Sequence, residues 1–207
     1  MSPPPIPAPI LATPRLLLRP LVAADSTGLH EAYGDGEAMR FWDLPPSRNR
    51  AETAVRIGWS LAASADWHAA WAIVRRADGR VLGLVNYHHR EAWHRRLEIG
   101  YILARAHWRQ GFMGEALPVF LDHCFGALAT HRVEAMIEPG NIASLRLAEK
   151  LGFRREGGQL RDRLYVAGHY RSLLVYGLLA TDRRAARPRM AMGMGGEECD
   201  ASPTSRS

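Results

Sequence analysis

Cysteine is scarce here: 207 residues include two, Cys124 and Cys199. Two cysteines make neither a disulfide framework nor a thiolate metal site. Cys124 falls in the helical run Phe120-Leu121-Asp122-His123-Cys124-Phe125 and reads as a small core residue. A reducing, cytoplasmic setting is the expectation. Long apolar runs are also lacking. No stretch approaches the roughly 20 residues that a membrane helix needs, so no membrane partner is expected. The proline-rich start, Met1 to Ile10, has no basic segment followed by an apolar one, and a secretory signal is not expected. There is no Gly-Lys-Ser/Thr phosphate loop and no complete Gly-x-Gly-x-x-Gly fingerprint. No set of His, Asp and Glu stands at metal-ligand spacing, so no metal is expected.

What is present is an ordinary globular composition, 47% hydrophobic and 23% charged, in a length that suits one domain. The net charge of +6 favours an anionic partner without naming it. Nucleic acid has only that charge behind it, and a cofactor bearing several phosphates would serve equally well. Residues 1–12 read as a disordered lead and 13–180 as one domain. Residues 181–207, rich in Arg, Met, Gly and Ser without periodicity, read as a disordered tail.

The pattern predicts a strand over Thr13 to Leu21, a helix from Ala23 to Tyr33, and a helix from Asn49 to Ala65 with Val55, Trp59 and Ala62 on one face. Strands follow at Trp71–Arg75 and Val81–Tyr87, joined by a turn at Ala77-Asp78-Gly79-Arg80. The next, Arg96–Leu103, alternates: Leu97, Ile99, Tyr101 and Leu103 share one face, Glu98, Gly100 and Ile102 the other. A helix to about Leu128 opens at Arg109–Gly114, with Pro118 expected to kink it or mark a late start. Then come a strand at Val133–Glu138, a helix from Ile142 to Leu151 capped by Asn141, and strands at 161–166 and 170–179. The order describes a mixed α/β layer around a central sheet.

Two strand–turn–helix units stand out. A helix start exposes unpaired N–H groups at the positive end of its dipole, and glycine lets an anion approach the backbone. Arg109-Gln110-Gly111-Phe112-Met113-Gly114 is one such start. The second is Asn141-Ile142-Ala143-Ser144-Leu145-Arg146-Leu147-Ala148-Glu149-Lys150-Leu151-Gly152-Phe153. Here Ile142, Leu145, Ala148 and Leu151 have core spacing, while Asn141, Ser144 and Arg146 point elsewhere. Asn141 as a plain helix cap remains an alternative.

The second unit resembles the second CoA-contacting motif of the GNAT acetyltransferase superfamily. Glu98-Ile99-Gly100-Tyr101-Ile102-Leu103 followed by Trp108 to Leu117 resembles the first motif. Thr13-Pro14-Arg15-Leu16-Leu17-Leu18-Arg19-Pro20 and Met39-Arg40-Phe41-Trp42-Asp43-Leu44-Pro45-Pro46 are similar to segments of the RimJ/RimL-like branch. One departure concerns the first motif, Gln/Arg-x-x-Gly-x-Gly/Ala. Trp108 takes its first position, Gly111 its central glycine and Met113 its Gly/Ala position, so the Met113 side chain must turn away from the ligand.

The resemblance implies a mostly antiparallel sheet, flanked by helices and splayed between its fourth and fifth strands. It also implies acetyl transfer from acetyl-CoA to a primary amine, foremost a protein N-terminal α-amine. The amides of Arg109, Gln110, Gly111, Phe112, Met113 and Gly114 would hold the pyrophosphate. Ile102 and Leu103 would pair with the pantetheine arm, the Leu103 N–H stabilising the thioester oxygen. Asn141, Ser144 and Arg146 complete the cofactor set. Glu98 is the candidate base and Ser144 the candidate partner of the thiolate; a structural pairing of Glu98 with an arginine such as Arg96 stays open. Phe41, Trp42, Trp59, Trp67 and Tyr165 to Tyr170 would border the acceptor. His88 and His89 lie near that side but, with His94 and His107, read first as surface histidines. Acceptance of a small-molecule amine, or a non-catalytic CoA-binding module, are the other readings. A homodimer is compatible with the family, and no specific nucleic acid is expected.

Overall fold

A computed structural model of the protein describes residues 8–186. It contains β1 (Leu11–Ala12), β2 (Leu16–Pro20), α1 (Ser26–Tyr33), α2 (Arg50–Ala62), β3 (Ala69–Arg75), β4 (Val81–Glu91), β5 (Arg96–Leu103), α3 (Phe112–Phe125), β6 (Arg132–Ile137), α4 (Ile142–Lys150), β7 (Arg154–Val166), β8 (His169–Leu179) and α5 (Ala180–Ala186). The strands form one sheet in the order β1-β2-β3-β4-β5-β6-β8-β7. Neighbours are antiparallel except β5 and β6.

That parallel pair is short. It joins Arg96 to Arg132, Leu97 to Val133 and Glu98 to Glu134, and goes no further. Beyond Glu98 the strands diverge, so β5 stays bonded to β4 while its other edge opens. This is the splay expected between the fourth and fifth strands; the two-residue β1 shifts their numbers to five and six.

Alternation along the strands divides the apolar residues between two faces. Leu16, Leu18, Trp71, Ile73, Val85 and Leu97 pack with α3 through Phe112, Met113, Leu117, Phe120 and Leu121. Ala70, Ala72, Val74, Leu84 and Ile102 pack on the other side with Leu29 and Tyr33 of α1 and Ile57 of α2. β4 carries two bulges. Ile73 pairs with Gly83 but Val74 pairs with Val81, leaving Leu82 extra. The second lies between His88 and Glu91, where β4 advances one residue more than β5. At the first, a Cβ on Gly83 would collide with the Ile102 carbonyl oxygen, so only glycine fits.

Several expectations need correction. β1 lies inside the expected lead and α5 runs into the expected tail. Pro9 O accepts a bond from the Trp71 indole, and Arg183 binds Asp122 and Pro118 O, which ties both ends to the sheet and α3. Residues 1–7 and 187–207 lie outside the described residues. α2 ends at Ala62 and turns Thr53, Arg56 and Ile57 inward, leaving Val55 and Trp59 exposed. The inward arginine is satisfied by Pro45 O and Glu52, so polarity misreads its face. α3 starts at Phe112 and runs through Pro118, which rules out a late start. β7 begins at Arg154, earlier than read, because Gly157-Gly158 and two bulges hide its period.

Candidate active site

The turn into α3 has the form an anion needs. Arg109 (φ 60°) and Gly111 (φ 79°) are both left-handed. Gly111 caps the helix, and the first intrahelical bond is Glu115 N to Gly111 O, so the amides of the first turn, Phe112, Met113 and Gly114, are not used by it. Met113 is buried in the core against the sheet, as its place in the motif requires. Arg109 and Gln110 are exposed on the turn. A residue far away in sequence completes the turn. Arg15 binds Glu115 at 2.6 Å and Gln110 O at 3.0 Å, and stacks 4.6 Å over Phe112. Its guanidinium thereby adds positive charge beside Gly111. Burial pushes the Glu115 carboxyl up, but hydrogen bonds from Thr13 and Arg15 outweigh it and hold it below its ordinary value.

Three bonds establish which edge each β5 residue presents. Arg95 O accepts from His131 and Arg132 on the β6 side, and Ala104 N donates to Leu82 O on the β4 side. By ladder alternation, odd-numbered main-chain groups face β6 and even-numbered ones face β4. Past Glu98, Tyr101 and Leu103 therefore face the opening, and Ile102 faces β4. Of the expected pair, Ile102 and Leu103, only Leu103 turns its main chain to the opening; Ile102 is paired with β4, and Tyr101 is the other residue whose main chain faces the opening. The Leu103 carbonyl already accepts the Trp108 indole N–H at 2.8 Å. Trp108 thus serves the strand edge through its side chain.

Glu98 sits at the point where the sheet opens, its side chain 14% exposed. Its partners are histidines: Oε2 lies 3.4 Å from His88 Nε2, and Oε1 lies 3.2 Å from His89 Nδ1. Arg96 instead binds Glu91 and Glu134, which removes the arginine alternative. Burial pushes the Glu98 carboxyl up, but hydrogen bonding and charge from His88 and His89 together hold it below its ordinary value. Adjacent strand residues normally point to opposite faces. The bulge, with His89 at φ 49°, brings both rings to one carboxylate. The expectation that no His/Asp/Glu set has metal-ligand spacing is thereby overturned: His88, His89 and Glu98 each offer an atom within 4.8 Å of the others. His94 stands 3.9 Å from Glu91, and His107 is buried, not on the surface.

On the opposite face, Tyr101 points toward α4. Burial pushes its hydroxyl above its ordinary pKa, and the neighbouring Ser144 side chain offsets part of that. Asn141 caps α4 by accepting from Ser144 N at 3.2 Å, so its capping role is realised. Arg146 is exposed on α4. Ala148 packs in the core, with Leu145 and Leu151 against it. Ile142, expected inside, is 51% exposed.

The acceptor-side aromatics do not form one group. Trp67 meets His89 edge-on at 5.2 Å, next to Glu98. Tyr165 and Tyr170 pair with each other across β7 and β8 at 5.0 Å. Phe41 lies against Gly140, Trp42 packs on Tyr33, and Trp59 stands exposed on α2. Arg171 fastens this loop, binding Arg40 O, Trp42 O and Glu138. A cavity of about 480 Å³ lined by Glu149, Gly152, Phe153, Arg154 and Leu178 shares none of the catalytic candidates.

A sheet splayed beside a helix start with unused amides, with a carboxylate at the fork, has the architecture of an acyl-CoA-dependent N-acyltransferase. The comparisons agree. The family model described as an acetyltransferase (GNAT) domain matches residues 15–154, and the chain belongs to that family. It is 32% identical to the N-acetyltransferase YoaA of Bacillus subtilis over 173 residues, 83% of this chain and 97% of YoaA. It is 33% identical over 102 residues to YdaF of the same organism, which bears a ribosomal N-acetyltransferase name; that covers 49% of this chain and 55% of YdaF. Its fold superposes on a spermidine N-acetyltransferase from Vibrio cholerae, solved with CoA and spermine. The TM-score is 0.72 at 22% identity, covering 83% and 99% of the two chains. The protein is an N-acetyltransferase that uses acetyl-CoA and an amine acceptor.

Proposed function

We propose that this chain transfers the acetyl group of acetyl-CoA to a protein N-terminal α-amine. The observation that carries the reading is the open edge of β5, with Glu98 on one face of the strand and the Tyr101–Ser144 pair on the other. The opening gives the two sets access to one reacting centre.

Acetyl-CoA supplies a thioester already activated for attack by an amine. The first-turn amides of α3 and Arg15 hold its phosphates, and the Tyr101 and Leu103 main chain lines its arm. The Leu103 N–H stabilises charge on the thioester oxygen. The amine must be neutral to attack. Glu98, ionised and flanked by His88 and His89, accepts its proton, directly or through water. Ser144, beside Tyr101, donates to the departing sulfur. A cytoplasmic setting accompanies this reading.

The surroundings favour a single amine over a polycation. Four carboxylates near the acceptor side are tied to arginines: Asp66 to Arg90, Glu91 and Glu134 to Arg96, Glu138 to Arg171. They neutralise their own partners and leave little free negative charge for the second ammonium of a polyamine. The partial resemblance to YdaF supports the same choice.

Thiol release with acetyl-CoA tests this against peptides with free N-termini, spermidine, and the same peptides blocked at the N-terminus. Higher kcat/KM for free peptides, with mass spectrometry placing the acetyl group on the α-amine, is the expected result. Faster turnover of spermidine would replace the acceptor but keep the chemistry.

A further inference from the structure

The geometry points to a transition-metal site of the zinc type at His88, His89 and Glu98. Each contributes one ligand atom: His88 Nε2, His89 Nδ1 and a Glu98 oxygen. His88 Nε2 lies 3.4 Å from Glu98 Oε2 and His89 Nδ1 lies 3.2 Å from Oε1, and one ligand atom from each residue falls within 4.8 Å of the other two, so an ion draws the three slightly together. A tetrahedral ion bound at about 2.0–2.1 Å places its ligands about 3.3 Å apart. Two imidazoles and one carboxylate leave a fourth position for water, and the partly exposed His89 leaves a way in.

Hydrogen bonding argues for a cation in the same place. Asn86 Oδ1 lies 3.3 Å from His88 Nδ1 and accepts its proton. A neutral His88 so held turns the Nε2 lone pair toward the Glu98 carboxylate. Two electron-rich groups at that distance are held together by a positive centre, either a second proton on His88 or a metal ion, and the titration below separates the two. The Asn86 bond is also the outer contact that fixes tautomer and ring angle for metal-bound histidines. Gly100 makes room for it, since a Cβ there would meet Asn86 Oδ1 at 2.7 Å.

The backbone holds the arrangement against its own preference. His89 takes a left-handed conformation (φ 49°) within the β4 bulge, where an ordinary strand would separate the rings. Trp67, edge-on to His89 at 5.2 Å, forms an apolar wall on the outer side.

An ion here occupies the carboxylate assigned above as the base, so zinc and acetyl transfer exclude one another. That consequence rests on the proposed role of Glu98; the binding site does not. The test is calorimetric titration of zinc chloride into the full chain, stripped of metal with a chelator and desalted. One ion per chain is expected, with affinity falling about 100-fold in His88→Gln and in His89→Asn, since Asn tolerates the left-handed backbone. Asn86→Ala should weaken binding about tenfold, as for other outer contacts. His94→Gln, at an exposed histidine outside the cluster, should bind as the parent does. Thermal melts of all four confirm that the fold survives. No uptake at about 100 μM zinc overturns the site, as does equal loss in His94→Gln or none in His88→Gln and His89→Asn. Zinc bound at the cluster with turnover unimpaired keeps the site and removes Glu98 as the base.

Discussion

The two ends of β5 are built on different plans. At the Leu103 end the chain runs on into a turn and a helix start whose groups come mostly from one stretch of sequence, Trp108 to Glu115. At the Glu98 end nothing is local. The carboxylate is met by two histidines from β4, brought together by a bulge and backed by Trp67 from the loop before β3. Binding a phosphate chain is mainly a task for main-chain amides, which any sequence supplies once the turn forms. Moving one proton needs particular side chains at particular distances, and neighbouring strands provide them.

Four substitutions probe that division. The largest effect belongs to the base end. Glu98→Gln keeps the shape and removes the proton acceptor, and kcat/KM should fall about 100-fold while the KM for acetyl-CoA stays close to the parent. A fall confined to KM would place Glu98 in binding instead. The next comes from the cofactor end. Met113→Ala cuts a buried side chain and should cost about 2–3 kcal/mol in denaturant unfolding, yet leave the acetyl-CoA KM nearly unchanged, since the contact proposed for that residue is through its amide. A large rise in KM would show that the side chain matters to the turn.

Tyr101→Phe removes the hydroxyl that meets Ser144. A loss of about tenfold in kcat is expected, roughly 1.4 kcal/mol, with little change in stability. The smallest effect concerns Glu115→Gln. The Glu115 carboxyl is held below its ordinary value in the folded chain, so the unfolded chain binds more protons around pH 4. Its stabilisation is fully present above the unfolded pKa and is lost as pH falls through the folded one. At pH 7 the variant should melt about 3 °C lower, near 1 kcal/mol, and the difference should close on acidification. A gap that persists at low pH would mean that charge is not its source.

The same contrast decides what was legible in the sequence. Asn141 to Phe153 is legible in its cap, its terminating glycine and the inward Leu145, Ala148 and Leu151, because these lie on or beside one helix, although Ile142 turns outward. The turn at Gly111, and the need for Met113 to point inward, were equally local. Arg15 was not, because it reaches Gln110 across 95 residues. Tyr101 was read for its face but not for its contact with Ser144, which depends on how α4 packs over the sheet. His88 and His89 were placed near the acceptor but not together, since an alternating pattern assigns them opposite faces. A left-handed histidine gives no signal in composition. α2 was turned the wrong way because an inward arginine, Arg56, reads as outward wherever polarity alone is weighed.

Gly83 sets the width of the slot. β5 lies between β4 and the opening, so anything that pries β5 from β4 moves it toward β6. A single methyl group at residue 83 would act as a wedge, because the Ile102 carbonyl already occupies that space. The strand would shift toward the edge left unpaired by β6 beyond Glu98, where the pantetheine arm is proposed to lie. The bare backbone at this position therefore keeps β5 close against β4, one strand away from the edge proposed for the cofactor.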